Sequence, residues 1–234
     1  MLVSVVVPAY NEEKYLGRCL GALAQQRHAG FDVEVIVVDN GSTDHTADLA
    51  RSYGVRVLIE PRRGVAWARQ IGFEAARGEI IASTDADSAP PPGWLEALVN
   101  ALTDEPWAVA VHGPIRVLDG SRWEDLGMCY LAGAAMALSA GFGRPTFSGP
   151  NFAVWRRAWA QAGGFDTAWE SAEDVNLSLK LARIGRVLFR WHIQVPSSGR
   201  RRQQGIPSAI GHTITDYARV VWLGMPPLPF EDYR

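Results

Sequence analysis

A chain of 234 residues can form one large α/β domain with a sizeable core, and 47% hydrophobic with 21% charged residues is the composition of an ordinary globular protein. A formal net charge of −2 excludes the basic excess of a nucleic-acid-binding protein. Cys19 and Cys129, far apart and without a second Cys or His at zinc spacing, exclude a disulfide framework and a structural zinc. The apolar start has no basic segment before it and is too short for a secretory signal, so a cytoplasmic location is expected.

In chain order, the short Val-rich run from Leu2 to Val7 predicts a buried strand, stopped by Pro8, and a helix opening at Asn11-Glu12-Glu13 runs through Leu16, Leu20 and Leu23. Val33 to Val38 predicts a second strand, ending at Asp39-Asn40-Gly41. Ser42, Thr43 and Asp44 offer caps for the next helix, which Gly54 closes. Val55 to Ile59, a helix from Gly64 to Arg77 stopped by Gly78, and Glu79 to Thr84 complete a βαβαβαβ alternation, which argues for a parallel sheet covered on both faces. Beyond three prolines come a helix at Gly93 to Leu102, a strand at Val109 to Val117 and a helix at Glu124 to Ser139. A short strand at Phe152 to Trp155, a helix at Arg157 to Ala162, an amphipathic helix at Asp174 to Ile184 and a last strand at Val187 to Val195 follow. This second half reads as an extension of the same sheet, so residues 1–234 form one domain whose boundary near residue 100 is functional.

Two apolar segments stand out. Gly127 to Gly143 carries no charge and is expected to be a buried helix. The aromatic, proline-rich run from Val220 to Phe230 is expected to pack on the domain, with docking on a membrane surface or partner as the weaker alternative.

Four polar clusters fall at the C-terminal ends of the first four strands: Pro8 to Glu12, Asp39 to Asp44, Pro61 to Gly64, and Asp85-Ala86-Asp87. Open α/β sheets bind ligands at that edge, and four such loops describe a pocket. Asp85 and Asp87 offer hard oxygen ligands suited to Mg²⁺ or Mn²⁺ carrying phosphates, although an Asp-x-Asp turn also forms for purely local reasons. No Gly-x-Gly-x-x-Gly follows the first strand and no Gly-x-x-x-x-Gly-Lys-Ser/Thr occurs, which excludes a Rossmann dinucleotide site and a P-loop.

Pro8-Ala9-Tyr10-Asn11-Glu12-Glu13, Val37 to Asp44, Ala68-Arg69-Gln70-Ile71-Gly72, Asp85-Ala86-Asp87, Gly163-Gly164-Phe165-Asp166 and Glu173-Asp174 stand in the order found in family 2 glycosyltransferases, and over residues 2 to about 202 the chain resembles that family. The resemblance implies a GT-A fold: a Rossmann-like, mostly parallel sheet flanked by helices, with a smaller extension on the acceptor side. Residues 1–100 would bind the nucleotide sugar and residues 101–234 the acceptor. It further implies transfer of a single sugar from a nucleotide sugar, UDP favoured, to an acceptor (a saccharide or a lipid-linked one), with inversion and with Mn²⁺ or Mg²⁺.

By the same resemblance, Pro8, Ala9, Tyr10 and Glu12 would flank the nucleoside and Asp39 would accept a hydrogen bond from the base. Gly64 would let backbone approach the ligand, Arg69 would reach the pocket, Asp87 would ligate the metal, and Asp85 would face the ribose or the metal. Asp174 would be the base and Glu173 would hold the acceptor or its loop, while the pair also suits a helix cap. Asn40 stands where the family often has Asp, and Gln70 where it often has Asn. Arg201, in the basic run Arg200-Arg201-Arg202, would meet the diphosphate or form a solvated loop. Gly149 to Phe152 would lie near the acceptor, Trp169 is a candidate for stacking on a sugar, and His192 is a weaker metal candidate than a surface histidine. The Gln-x-x-Arg-Trp signature of processive synthases is absent. The rival readings are a nucleotidyltransferase, for which the first loop lacks a Gly-rich basic segment, and a non-catalytic nucleotide-sugar-binding protein.

Overall fold

The computed structural model describes residues 1–28, 30–169, 171–199, 219–223 and 225. The first half is built as strand and helix in alternation: β1 (Leu2–Ala9), α1 (Leu16–Ala24), β2 (Asp32–Asp39), α2 (Thr46–Ser52), β3 (Arg56–Ile59), α3 (Val65–Ala75), β4 (Ile80–Ser83) and α4 (Trp94–Thr103). The second half follows with β5 (Ala108–His112), β6 (Ile115–Val117), α5 (Arg122–Leu126), a π-helical turn at Gly127–Ala132 and α6 (Gly133–Gly141). It ends with β7 (Phe152–Trp155), α7 (Arg156–Gln161), α8 (Glu173–Leu181), β8 (Arg186–Phe189) and β9 (Val195–Ser197).

Seven strands form one sheet in the order β3-β2-β1-β4-β7-β5-β8, and β6 pairs with β9 in a small second sheet. Strands β1 to β4 are parallel, as the alternation requires, whereas β7 runs antiparallel between β4 and β5. The second half thus extends the sheet of the first. Its residues alternate between two cores. Val3, Val5 and Val7 of β1 face Leu16, Leu20 and Leu23 of α1 and Leu95, Leu98 and Leu102 of α4. Val6, Ile36 and Ile81 face Ala68 and Phe73 of α3 and Leu177 and Leu181 of α8. Gly72 lets α3 lie directly on β1, because a Cβ there would collide with Val6.

The chain leaves β1 toward β2 and β3, then returns to β4 on the other side of β1. The crevice at that reversal opens where the C-terminal ends of β1 and β4 lie side by side. Pairing of Ser83 with Phe152 brings the start of β7 to the same edge.

Four expectations need correction. The strand foreseen from Val109 to Val117 breaks at Gly113-Pro114, where the chain crosses Ile193 so closely that only glycine fits, and the proline offers no N–H to a ladder. The last strand likewise divides into β8 and β9 around a turn closed by the Ile193 N–H donating to Arg190 O (3.2 Å). Helix α1 begins at Leu16, not at Asn11, because Asn11 takes a left-handed conformation (φ 52°) that serves a different purpose, described below. The uncharged helix at Gly127 to Gly143 lies on the surface: Cys129, Gly133 and Ser139 are buried while Tyr130, Leu131, Leu138 and Phe142 are exposed. No helix among the described residues is long and apolar enough to cross a membrane. Of the C-terminal apolar run, Val220 and Val221 are buried and pack as expected, whereas Trp222, Leu223 and Met225 are exposed; Gly224 and positions 226–230 fall outside the described residues.

His112, at the end of β5, is fully buried between the rings of Phe147 (5.3 Å) and Phe189 (5.2 Å), with both ring nitrogens unpartnered among the described residues. Burial pushes its pKa from 6.5 down to about 3, so the folded protein holds it neutral. Between those two values the unfolded chain binds the extra proton, and stability is lost as pH falls through that window. His112→Phe is expected to flatten this acid limb: thermal unfolding at pH 5 should shift upward, with a much smaller change at pH 8.

Candidate active site

The first two loops of the edge are stitched together by their own side chains. The Asn11 N–H donates to Ser42 Oγ (2.9 Å) and the Thr43 N–H to Asn11 Oδ1 (2.8 Å). The Glu12 N–H donates to Thr46 Oγ1 (2.7 Å), the Glu13 N–H to Asp44 Oδ2 (3.2 Å), and the His45 N–H to Glu13 Oε2 (3.1 Å). Asp44 also caps α2 by accepting from the Thr46 N–H (3.0 Å). The left-handed Asn11 turns its own amide and side chain toward the second loop, so helix α1 has to wait until the turn is complete.

Asn40 performs the same service for the third loop. Its Nδ2 donates to the carbonyls of Glu60 (2.9 Å) and Arg62 (2.6 Å), and its Oδ1 accepts from the Gly64 N–H (2.9 Å). An amide can both donate and accept here, and an aspartate cannot. Asn40 thus serves the third loop in a way an aspartate could not. Gly64 takes φ 124°, open to glycine alone, and begins α3. Arg62 pairs with Glu60 (2.7 Å) and lies over Trp67, while Arg63 stacks 3.2 Å over the ring of Tyr10.

The edge encloses a pocket of about 270 Å³. From the β1 loop come Pro8, Ala9, Tyr10 and Glu12. From β4 come Asp85, Ala86 and Asp87, and from α3 Val65, Ala68 and Arg69. Gly149 and Pro150 enter before β7, and Ser171 to Asp174 close the far side at the start of α8. Of the residues singled out in the sequence, Pro8, Ala9, Tyr10, Glu12, Arg69, Asp85, Asp87, Glu173 and Asp174 thus share one cavity. Asp39 and Gly64 do not line it, although their chain neighbours Asn40 and Val65 do. Arg201 lies outside the described residues. Trp169 is half-buried and His192 exposed, and neither lines the pocket.

At the centre lies Arg69, a buried guanidinium. Its Nη2 donates to Asp85 Oδ1 (2.6 Å) and its Nη1 is ion-paired with Glu173. Gly149 leaves the room it occupies, since any side chain there would overlap the guanidinium. Glu173 and Asp174 follow Ala172, held in the left-handed region (φ 57°), a strained conformation of the kind that clusters at functional sites. Burial first, and then the charge of Glu173, push the Asp174 carboxyl up to about 7, against the pull of Arg69.

Asp39 is buried, with Oδ2 accepting from the Ser42 N–H (3.3 Å) and Oδ1 unpartnered among the described residues. It therefore makes the local turn and still keeps one acceptor in reserve. Helix α1 and strand β9 fix the main chain of the Asp-x-Asp loop. Cys19 Sγ donates to Asp85 O (3.4 Å), Arg18 Nη2 and the Ser198 N–H reach Asp87 O (3.3 and 3.2 Å), and Ser197 Oγ reaches Asp87 Oδ1 (3.2 Å). Burial raises the Cys19 thiol pKa well above its ordinary value, which makes it an inert donor.

Some motif residues serve the scaffold. Gln70 Oε1 accepts from the Phe165 N–H (2.9 Å), fastening α3 to the Gly163-Gly164 turn while Phe165 meets Phe73 edge-on at 5.0 Å. Asn151 accepts from Trp94 Nε1 (2.9 Å) and donates to Pro114 O (2.9 Å) and Ile193 O (2.7 Å), a fully buried hub just behind the pocket.

Two acidic oxygens at the Asp-x-Asp turn form a hard donor set that suits a divalent ion taking its remaining ligands from phosphate and water. Asp87 would hold such an ion, with Asp85 steadied beside it by Arg69. No cluster of three or more His, Cys, Asp or Glu able to bind a metal occurs among the described residues.

A model of the family described as "Glycosyl transferase family 2" matches residues 4–161. The glycosyltransferase AglE of Haloferax volcanii is 38% identical over 107 residues, 43% of this chain and 35% of that one. The mannosyltransferase PcManGT of Pyrobaculum calidifontis, solved with GDP-Man and Mn²⁺, superposes with a TM-score of 0.69 at 26% identity, covering 86% of this chain and 57% of that one. Glucosyl-3-phosphoglycerate synthase of Mycobacterium tuberculosis, solved with Mn²⁺, UDP and phosphoglyceric acid, gives a TM-score of 0.65 at 22% identity, over 97% and 80% of the two chains. The fold is thus that of the GT-A enzymes. The chain spans between 19% and 52% of the length of the curated relatives it matches.

Two substitutions probe the scaffold. Arg69→Met leaves two carboxylates without their partner and is expected to cost about 3–5 kcal/mol in urea unfolding. Asn40→Asp turns a carboxylate onto two carbonyls and is expected to cost about 2 kcal/mol by the same measurement.

Proposed function

The chain belongs to glycosyl transferase family 2, and on that premise we propose that its pocket binds a nucleotide sugar and transfers one sugar to an acceptor hydroxyl with inversion. The observation that carries this reading is the meeting of Asp85-Ala86-Asp87 and Glu173-Asp174 in one cavity, from elements 86 or more positions apart. The first pair suits a divalent ion carrying the phosphates of a donor and the second the hydroxyl of an acceptor. Residues 1–100 then form the donor half and residues 101–234 the acceptor half.

The nucleoside is assigned to Pro8, Ala9, Tyr10 and Glu12, which line the pocket. Asp39, next to the lining residue Asn40, is assigned as acceptor for a base N–H through its buried, spare Oδ1, a role that uracil, thymine or guanine could each answer, with UDP favoured. A ring N–H meeting this buried oxygen would satisfy it and gain a charge-assisted hydrogen bond. Gly64 keeps the third loop close to the ligand, and Arg201 is assigned to the diphosphate. Mn²⁺ or Mg²⁺, held by Asp87 and Asp85, supplies charge neutralisation and orientation of the diphosphate leaving group when bound.

Asp174 takes the proton of the acceptor hydroxyl as that oxygen attacks the anomeric carbon opposite the departing phosphate. Its elevated pKa makes it a stronger base than an exposed aspartate and keeps it largely ionised only above neutrality. Glu173, ion-paired with Arg69, positions Asp174 and the acceptor loop. The acceptor is a saccharide or a lipid-linked one, and the proposed setting is cytoplasmic, in solution or at the membrane surface.

Calorimetric titration of UDP, GDP and dTDP, with Mn²⁺ and again with EDTA, tests the donor half. One nucleotide should bind, and only with metal; binding of none to folded protein overturns the reading. Asp174→Asn should lower transfer by about 10³-fold or more while leaving nucleotide affinity within a factor of two or so. In the wild type, kcat should rise with pH to a plateau through a midpoint near 7, the sign expected of a base that works as the anion. Transfer undiminished in Asp174→Asn would remove this residue from the role.

A further inference from the structure

The helical segment that runs from Arg122 to Gly141 is inside out. Its buried side presents Cys129, Gly133 and Ser139, and Gly133 is small because Trp191 closes on the helix there. Its outer side presents the large apolar groups: Trp123 is 83% exposed, Leu131 76% and Leu138 65%, with Tyr130 and Phe142 beside them. Positions 123, 127, 130, 131, 134, 138 and 141 recur at helical spacing, so this is a continuous apolar face turned away from the core. Helical residues 219–223 extend it with Trp222 and Leu223, the Phe142 and Trp222 rings lying 6.5 Å apart. Folding here leaves in water the side chains whose burial would be most favourable, and an apolar patch of this kind marks a surface that something else covers.

Charge identifies the occupant. From Leu126 to Phe165 the sequence holds no aspartate or glutamate, and its only charges are Arg144, Arg156 and Arg157. Arg122 is exposed at one end of the face, and at the other Arg144 lies 5.1 Å over the Trp222 ring and donates to Val221 O. An apolar helix face rich in Trp and Tyr, with arginines near both ends, has the chemistry of an element lying in the headgroup layer of an anionic bilayer. Its only acids, Glu124 and Asp125, stand in the first turn, and Asp125 is ion-paired with Arg116. We propose that the outer face of this helix, together with Trp222 and Leu223, seats the protein on an anionic membrane surface. The loop that leaves the helix at Phe142 enters the pocket wall at Gly149 and Pro150, so the seated surface and the pocket share one segment. The inference stands on the exposed face and does not require the proposed transfer reaction.

Co-sedimentation of the full chain with vesicles tests it, using phosphatidylcholine alone and phosphatidylcholine mixed with phosphatidylglycerol. The protein should pellet with the anionic vesicles, less with the neutral ones, and less again as salt is raised. Leu131→Ser combined with Leu138→Ser, both at exposed positions, should weaken binding about tenfold or more, with the circular dichroism spectrum and thermal unfolding unchanged. Arg122→Gln should weaken binding to the anionic vesicles alone. Failure to pellet with either vesicle overturns the proposal, as does binding that the double substitution leaves intact. So does a dimer in light scattering that the double substitution dissociates without any vesicle binding, since the face would then belong to a second copy.

Discussion

The pocket exists because one guanidinium is buried among carboxylates. Asp85 closes β4 and Glu173 and Asp174 open α8, and no backbone pairing joins those elements directly. Arg69 does, by pairing with Asp85 and Glu173 at once. A buried ion pair is weak grounds for net stability, yet it is strict about geometry, because each charge left alone in a low dielectric is costly. Room for it depends on two absences of side chain: Gly72, which lets α3 settle on β1, and Gly149, which leaves space for the guanidinium. Three carboxylates still outnumber the one cation, and Asp174, raised first by its own burial and then by the charge of Glu173, holds its proton toward neutral pH.

Much of the fold could be read from hydrophobic period and breakers. Val3, Val5 and Val7 alternate with Val6 between the two cores, and glycines and prolines mark nearly every element end in the first hundred residues. Reading failed where one apolar run serves two sheets. Val109 to Val117 looks continuous, and only the collision between Gly113 and a segment eighty positions later forces the break. Such a crossing leaves no local trace beyond the Gly-Pro pair.

The site was legible as a set of loops, because four parallel strands deliver four polar ends to one edge. Individual roles were less so. Asn40 and Asn151 are amides that donate and accept together, and Gln70 accepts from the Phe165 N–H, each tying segments far apart in the chain. Asn11 resembles a helix start until its left-handed turn is seen to fasten the first loop to the second. The helix after Gly127 was misread for another reason. Composition alone made it a core element, whereas the phase of its small residues against its large ones already said which side faced inward.

Strand β7 pairs antiparallel on both sides and fills the place between β4 and β5, so the middle of the sheet needs a strand that the chain makes after both of its neighbours. A chain emerging from its N terminus can complete β1, β2, β3 and β4 in sequence, and β4 then stands as an open edge of Ile80, Ile81 and Ala82. Ser83 must wait for Phe152 to arrive before that edge is covered. Long loops of this kind close slowly, and an uncovered apolar edge is a template for pairing with the wrong chain. The same strand order sets the chemistry: Asp85 lies before β7 in the chain and Glu173 and Asp174 after it, and Arg69 is the group that joins the two sides by pairing with Asp85 and Glu173.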